Sequence, residues 1–204
     1  MNITSAQLAQ FDKHYRTHFV NSLSGYKSAN LIGTADSQGN TNLAIVSSVF
    51  HLGAHPPLIG MIMRPHRVPR HTLENLLETG YYTINQVNEK IYRQAHQTSA
   101  RYDKQVSEFA ATGLDCEYLD DFIAPYVAQS KLKMGIKLIS TQTLAVNGTE
   151  LVIGEIEQVY VEQQAIQADG HIDITRLEAV AVTGLDSYHT GQPLTRLAYA
   201  KPDN

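Results

Sequence analysis

Two apolar runs, "IKLISTQTLAV" and "ELVIGEIEQVYV", flank Asn147-Gly148. Asn-Gly accepts the positive backbone angles of a tight two-residue turn, so the pair predicts an antiparallel hairpin there. The texture recurs. "SANLIGTADSQGNTNLAIVSSVFHL" reads as strand, polar turn over 36–41 and strand, with Gly39 as the permissive residue. "PPLIGMIMRP" predicts a strand over 58–63 and "YYTINQV" another. Asp169-Gly170 marks a further turn, and "LEAVAVTGLDSYHT" and "PLTRLAYAK" carry the strand-rich pattern to the end.

Helices sit between these runs. Thr4 and Gln7 have capping-box spacing. Phe11, Tyr15, Phe19 and Leu23 recur every four residues, which predicts an amphipathic helix ending at Gly25. "TLENLLETG" places Leu73, Leu76 and Leu77 on one face with Gly80 as a stop. "EKIYRQAHQ" predicts another helix, and the segment near 88–135 reads as a helical and loop insertion without a clear strand. About seven strands joined by short turns imply antiparallel pairing. The expected fold is mainly β with peripheral helices: an antiparallel barrel, not a doubly wound parallel sheet. With no linker or repeat, 1–204 reads as a single domain.

Composition narrows the function. The net charge is -4 with no basic tail, which argues against nucleic acid. Cys116 is the one cysteine, so neither an internal disulfide nor a multi-cysteine zinc site is expected. The nine histidines include no H-E-x-x-H, and His51 and His55 straddle Gly53 before Pro56, so no metal site is expected. There is no signal-peptide core and no membrane-spanning apolar run, which predicts a soluble cytoplasmic protein without membrane contact. Dinucleotide-binding, Walker A and nucleophile-elbow motifs are absent.

Two groups of residues carry chemistry. Arg64, Arg67 and Arg70 recur at every third position just before a helix expected to begin near Thr72. Guanidinium forks, a hydroxyl and helix-start amides together suit phosphate oxygens. The alternative is that Thr72 is only a cap and the arginines pair with Glu74 and Glu78. Ser47 and Ser48 lie in an apolar run, so at least one hydroxyl faces inward and needs a partner, from a strand or a ligand.

In order, "LIGTADSQGNTNLAIVSSVF", "HPPLIGMIMRP", "RHTLENLLETGYYTINQV", "HQTSARYDKQVSEFAATGL" and "LVIGEIEQVYV" resemble the flavin reductase-like proteins of the FMN-binding split-barrel superfamily. The resemblance implies a Greek-key split β-barrel that forms a homodimer, with FMN near the subunit interface. It implies that Ser47 and Ser48, with the adjoining Val49, lie near the flavin. Arg70 and Thr72 match a phosphate element, with Arg64 and Arg67 beside it. Ser99 and Arg101 match a second polar element. The implied activity is reduction of FMN by NADH or NADPH, with a monooxygenase component receiving reduced flavin. A tightly bound FMN reducing another small substrate, or a non-enzymatic flavin or haem carrier, are the alternatives on the same barrel. No catalytic side chain is implied, because hydride transfer to flavin needs proximity and stacking more than an acid or base.

Overall fold

The structure is a computed structural model that describes residues 1–202. Thr4 and Gln7 form the expected capping box and start α1 (Ser5–Gln10). Asp12 accepts from the His14 and Tyr15 amides and starts α2 (Lys13–Ser22). Phe11, Tyr15 and Phe19 pack on one another. Neither helix buries a residue, so the expected aromatic stripe exists and no described residue buries it.

Next come β1 (Lys27–Ser28), β2 (Asn30–Ala35), β3 (Thr41–Val46), β4 (Val49–Ala54) and β5 (Pro57–Met63). Then α3 (His71–Thr79) leads into β6 (Tyr81–Gln86). The 88–135 segment holds α4 (Tyr92–Gln97) and α5 (Glu108–Thr112), but also a short hairpin of β7 (Cys116–Glu117) and β8 (Tyr126–Val127). β9 (Leu132–Leu144) and β10 (Thr149–Val161) form the long hairpin, and β11 (Val180–Thr183) and β12 (Ser187–Thr190) a smaller one. The expected strand in "PLTRLAYAK" is absent; that stretch has no regular structure.

The Asn147-Gly148 turn is longer than expected. Four residues, 145–148, separate the strands, and both the Asn147 and Gly148 amides donate to the Leu144 carbonyl. Only Gly148 has positive φ, at 72°, while the Asn147 carboxamide oxygen accepts from the Thr149 amide. One αL residue after a tight turn needs glycine there, and asparagine serves as a local acceptor instead.

Seven strands form the main sheet in the order β3-β2-β6-β9-β10-β5-β4, and every neighbouring pair is antiparallel. β3 and β4 stand at opposite edges of that order, yet only Ser47 and Ser48 separate them in the chain. The sheet must therefore curl until its edges meet, which makes a Greek-key split barrel. This corrects the sequence reading: the serines do not lie within one continuous strand but at the break between two.

Alternating residues divide into two cores. Ile32, Met61, Tyr82, Ile84, Ile136 and Val152 fill the barrel, with Leu73 and Leu76 of α3 packed on them. Ala29, Leu31, Leu43 and Val87 face outward and are covered by Ile91, Ala95, Phe109, Val180 and Val182. β3 is an edge strand, and its outward amides are capped by side chains. The Leu43 amide donates to Glu108 Oε2 at 2.9 Å and the Ile45 amide to Thr98 Oγ1 at 2.9 Å. An edge treated this way cannot template further pairing.

Glu108 is 6% exposed, and burial raises the pKa of its carboxyl despite the Leu43 amide and the nearby His71. A carboxyl raised in the folded state favours folding while protonated and loses that contribution as pH rises through its folded value. Glu108→Gln keeps an acceptor for the Leu43 amide and removes the buried charge. The variant should melt above wild type at neutral pH, with the gap closing as pH falls below the ordinary glutamate value of about 4.3. A wild type that melts higher at neutral pH would show that the ionised carboxylate stabilises the edge.

Candidate active site

The opening of α3 gathers most of the residues singled out in the sequence. Helix α3 begins at His71, with Arg70 as its cap residue and no side chain capping its first amides. Thr72 is thus inside the first turn and is not the cap that one reading of the sequence allowed. Its hydroxyl is buried and accepts from Asn42 Nδ2 at 2.9 Å. That bond occupies a lone pair and leaves the hydroxyl proton without an acceptor among the described residues.

The carboxylates that could have neutralised the arginines are engaged elsewhere. Glu74 Oε1 takes the His66 ring at 2.9 Å and the Arg70 backbone amide at 3.0 Å. Glu78 accepts from the Ser37 amide. Among the described residues, none of Arg64, Arg67, Arg70 and Arg101 forms a salt bridge.

Arg70 is half-buried, and its Nε is enclosed without a hydrogen-bond partner. Burial first, and then the positive charges of Arg64 and Arg101, hold its guanidinium below the ordinary arginine value. The fold therefore brings Arg64 and Arg101 each close enough to act on Arg70 in a chain whose net charge is -4. Arg67 is exposed and takes no part in this coupling. Uncompensated guanidiniums, free helix-start amides and an unspent threonine proton form a donor set that fits a phosphate monoester. An enclosed donor with no acceptor costs free energy until an anion supplies one.

The β3–β4 break adds the second part. The Ser48 hydroxyl donates to the Ile62 carbonyl at 2.6 Å, and the Ile62 amide donates to the Ser48 carbonyl at 3.3 Å. Ser48 thus spends its hydroxyl on the barrel. Ser47 is half-buried, and neither its amide nor its hydroxyl has a partner among the described residues. It is next in the series after Leu43 and Ile45, whose amides leave the same edge and are capped. Val49 starts β4 opposite Met61 and packs against the barrel core.

Ser99 follows α4, exposed, with its amide donating to the His96 carbonyl and its side chain unpaired among the described residues. Only Arg101 of that element is tied to the arginine group. Sequence reading missed Asn42, Thr98 and Glu108, which orient Thr72 and the β3 edge. Asn42 had a visible signal, an amide within an apolar strand; the other two had none.

Comparison with known proteins accords with this geometry. The sequence profile described as the flavin reductase like domain matches residues 23–176. A protein described as a flavin reductase with a split barrel domain, from Shewanella frigidimarina NCIMB 400, superposes with a TM-score of 0.95 at 61% identity. That match covers 98% of this chain and 100% of the other. Nitrilotriacetate monooxygenase component B from Bacillus cereus shares the fold, with a TM-score of 0.85 at 17% identity over 97% of this chain and 98% of that one. So does the 2-nitrobenzoate 2-nitroreductase of Pseudomonas fluorescens, at 0.82 and 19% over 98% and 96%. With its split barrel and the extent of the profile match, this chain belongs to the flavin reductase like domain family, a family of flavin-related oxidoreductases.

Proposed function

We propose that the protein is an NAD(P)H-dependent flavin reductase that binds FMN with its phosphate at the start of α3. The observation that carries this reading is the unneutralised group of Arg64, Arg70 and Arg101 around an enclosed, partnerless Arg70 Nε. Family membership supplies the kind of ligand; the arginines supply the anchor for its charged end. Arg70 and the His71 and Thr72 amides would hold phosphate oxygens, and Thr72 would donate the proton that Asn42 leaves free. The free Ser47 amide suits a ring acceptor at the β3–β4 break. Bound FMN supplies a ring that accepts hydride from a nicotinamide. The chain's part is binding and orientation, and no side chain is assigned as acid or base.

Absorbance of the purified protein with FMN, followed anaerobically on adding NADH or NADPH, tests the reading. Bleaching of the flavin band by catalytic amounts of protein is the expected result. A flavin that binds but stays oxidised with both donors would rule out the reductase. FMN retained through gel filtration would make it a prosthetic group instead of a substrate.

The phosphate assignment makes a selective prediction. A charge-assisted hydrogen bond contributes about 1.5–3 kcal/mol, so Arg70→Ala should weaken FMN by roughly ten- to a hundredfold. Riboflavin, which lacks the phosphate, should lose far less, and Thr72→Val should show the same selectivity at smaller size. Equal losses for both flavins in fluorescence titrations would assign Arg70 to the fold or the ring instead.

We also propose a homodimer. Tyr15, Val20 and Leu23 of the uncovered N-terminal arm are 57%, 48% and 66% exposed, and Leu194, Leu197 and Tyr199 of the tail are almost wholly so. A two-fold pairing would cover both. Light scattering should give twice the chain mass at micromolar protein; a monomer that still binds FMN would refute it. One structural relative is by name a component of a monooxygenase. Supply of reduced flavin to such a component is the partner relation we propose.

A further inference from the structure

Gln86 closes β6, paired with Asn30, which in turn pairs with Val46 at the end of β3. Contacts along β6 fix which way Gln86 faces. Tyr82 and Ile84 belong to the barrel core. Between them, the Thr83 hydroxyl donates to the Pro125 carbonyl, and Asn85 Oδ1 accepts from the Val127 amide on the outer side. Val87 belongs to the outer core. By alternation Gln86 shares the barrel face with Tyr82 and Ile84.

Its Oε1 is enclosed and has no hydrogen-bond partner, and its Nε2 makes no bond to any described residue. An enclosed amide oxygen without a donor calls for an explanation. Three other enclosed orphans need no ligand. The Tyr82 hydroxyl and Asn75 Oδ1 belong to residues only 0% and 3% exposed, sealed inside the barrel and under α3. Glu178 Oε2 faces Lys131 Nζ at 3.1 Å. Arg70 Nε and Gln86 Oε1 remain, each on a residue that is only half-buried.

Gln86 and the α3 start that Arg70 caps are linked through the barrel wall by β3. Asn42, which holds Thr72, shares the inner row of β3 with Ala44 and Val46, both half-buried. Four residues along β3 and two strands across to β6 separate the Asn42 position from Gln86, roughly 17 Å on the diagonal at ordinary strand spacings. An anion site and an amide end that distance apart suit a ligand with a phosphate at one end and a hydrogen-bonding ring edge at the other.

Resting on the flavin reading above, we propose that the Gln86 amide recognises the imide edge of the flavin ring. Oε1 accepts from the ring imide N–H, and Nε2 donates to a flanking ring carbonyl. An amide offers one acceptor beside one donor group, the complement of an imide edge.

The test compares FMN with 3-methyl-FMN, whose imide hydrogen is replaced by a methyl group, on wild type, Gln86→Met and Arg70→Ala, by fluorescence titration. Wild type should bind FMN about three- to tenfold or more tightly than the methylated analogue, the loss expected for one neutral hydrogen bond and a stranded acceptor. Gln86→Met should bind both within about twofold of each other, whereas Arg70→Ala should weaken both and keep the preference. The wild-type comparison needs no variant to fold. Equal binding of both flavins by wild type, or a preference that survives in Gln86→Met, overturns the assignment and leaves the phosphate anchor standing. If wild type binds neither flavin, both the flavin reading and the Gln86 assignment fall.

Discussion

The two hydrogen bonds between Ser48 and Ile62 carry the β4–β5 ladder one residue past Val49 and hold the chain to the barrel where it leaves β3. β3 and β4 are consecutive in the chain but occupy opposite edges of the sheet, so the curl of five intervening strands must end with these edges adjacent. The Ser48 hydroxyl and carbonyl lock the crossing residue to β5 at 2.6 and 3.3 Å. A backbone that leaves one strand ladder and enters another has amides that no strand can satisfy. The Ser47 amide has no acceptor among the described residues, and there the barrel is split.

Charge is distributed with the same economy of partners. Two carboxylates around α3 and the β3 edge already serve structural donors: Glu74 takes His66 and the Arg70 amide, Glu108 takes the Leu43 amide. Acids that would relieve the repulsion of Arg70 by Arg64 and Arg101 would also compete with an incoming anion. The positive field is therefore held in place by the helix start and left open, and the folded chain carries its cost. Asn42 extends the principle to a neutral group. By donating to Thr72 it fixes which part of the hydroxyl is left for a ligand.

Local chemistry made much of this legible in the sequence. The capping box at Thr4, the leucine face of α3 with its Gly80 stop, and the long hairpin around Asn147-Gly148 all follow from neighbouring residues. What escaped depends on partners distant in the chain. An apolar run containing Ser47 and Ser48 reads as one strand until Ile62 is known to face the break. The four-residue loop before Thr149 arises because the Leu144 carbonyl accepts two amides, which residue preference alone does not specify. Glu108 sits in the least regular segment and carries no pattern. Its role is set by an edge amide of β3 that needs an acceptor. Likewise Arg101 joins Arg64 and Arg70 only through the path of α4 and the loop after it.

The position of the split follows from which edge amides the chain chose to cover. Leu43 and Ile45 send their amides off the free edge of β3, and Ser47 follows at the bend just after it. Glu108 and Thr98 cap the first two from α5 and α4, so solvent and other strands are kept from them. No described residue caps the Ser47 amide. Had α4 and α5 run one step further along β3, the edge would be closed throughout and the barrel would have no polar backbone facing its opening. Stopping short leaves the Ser47 amide without an acceptor among the described residues. A cationic anchor at α3, a bare backbone donor at the β3–β4 break and a side-chain amide at the end of β6 are each unsatisfied for its own structural reason. That convergence argues for a ligand more strongly than any one of the three, because a purely structural barrel would gain stability by satisfying each of them separately.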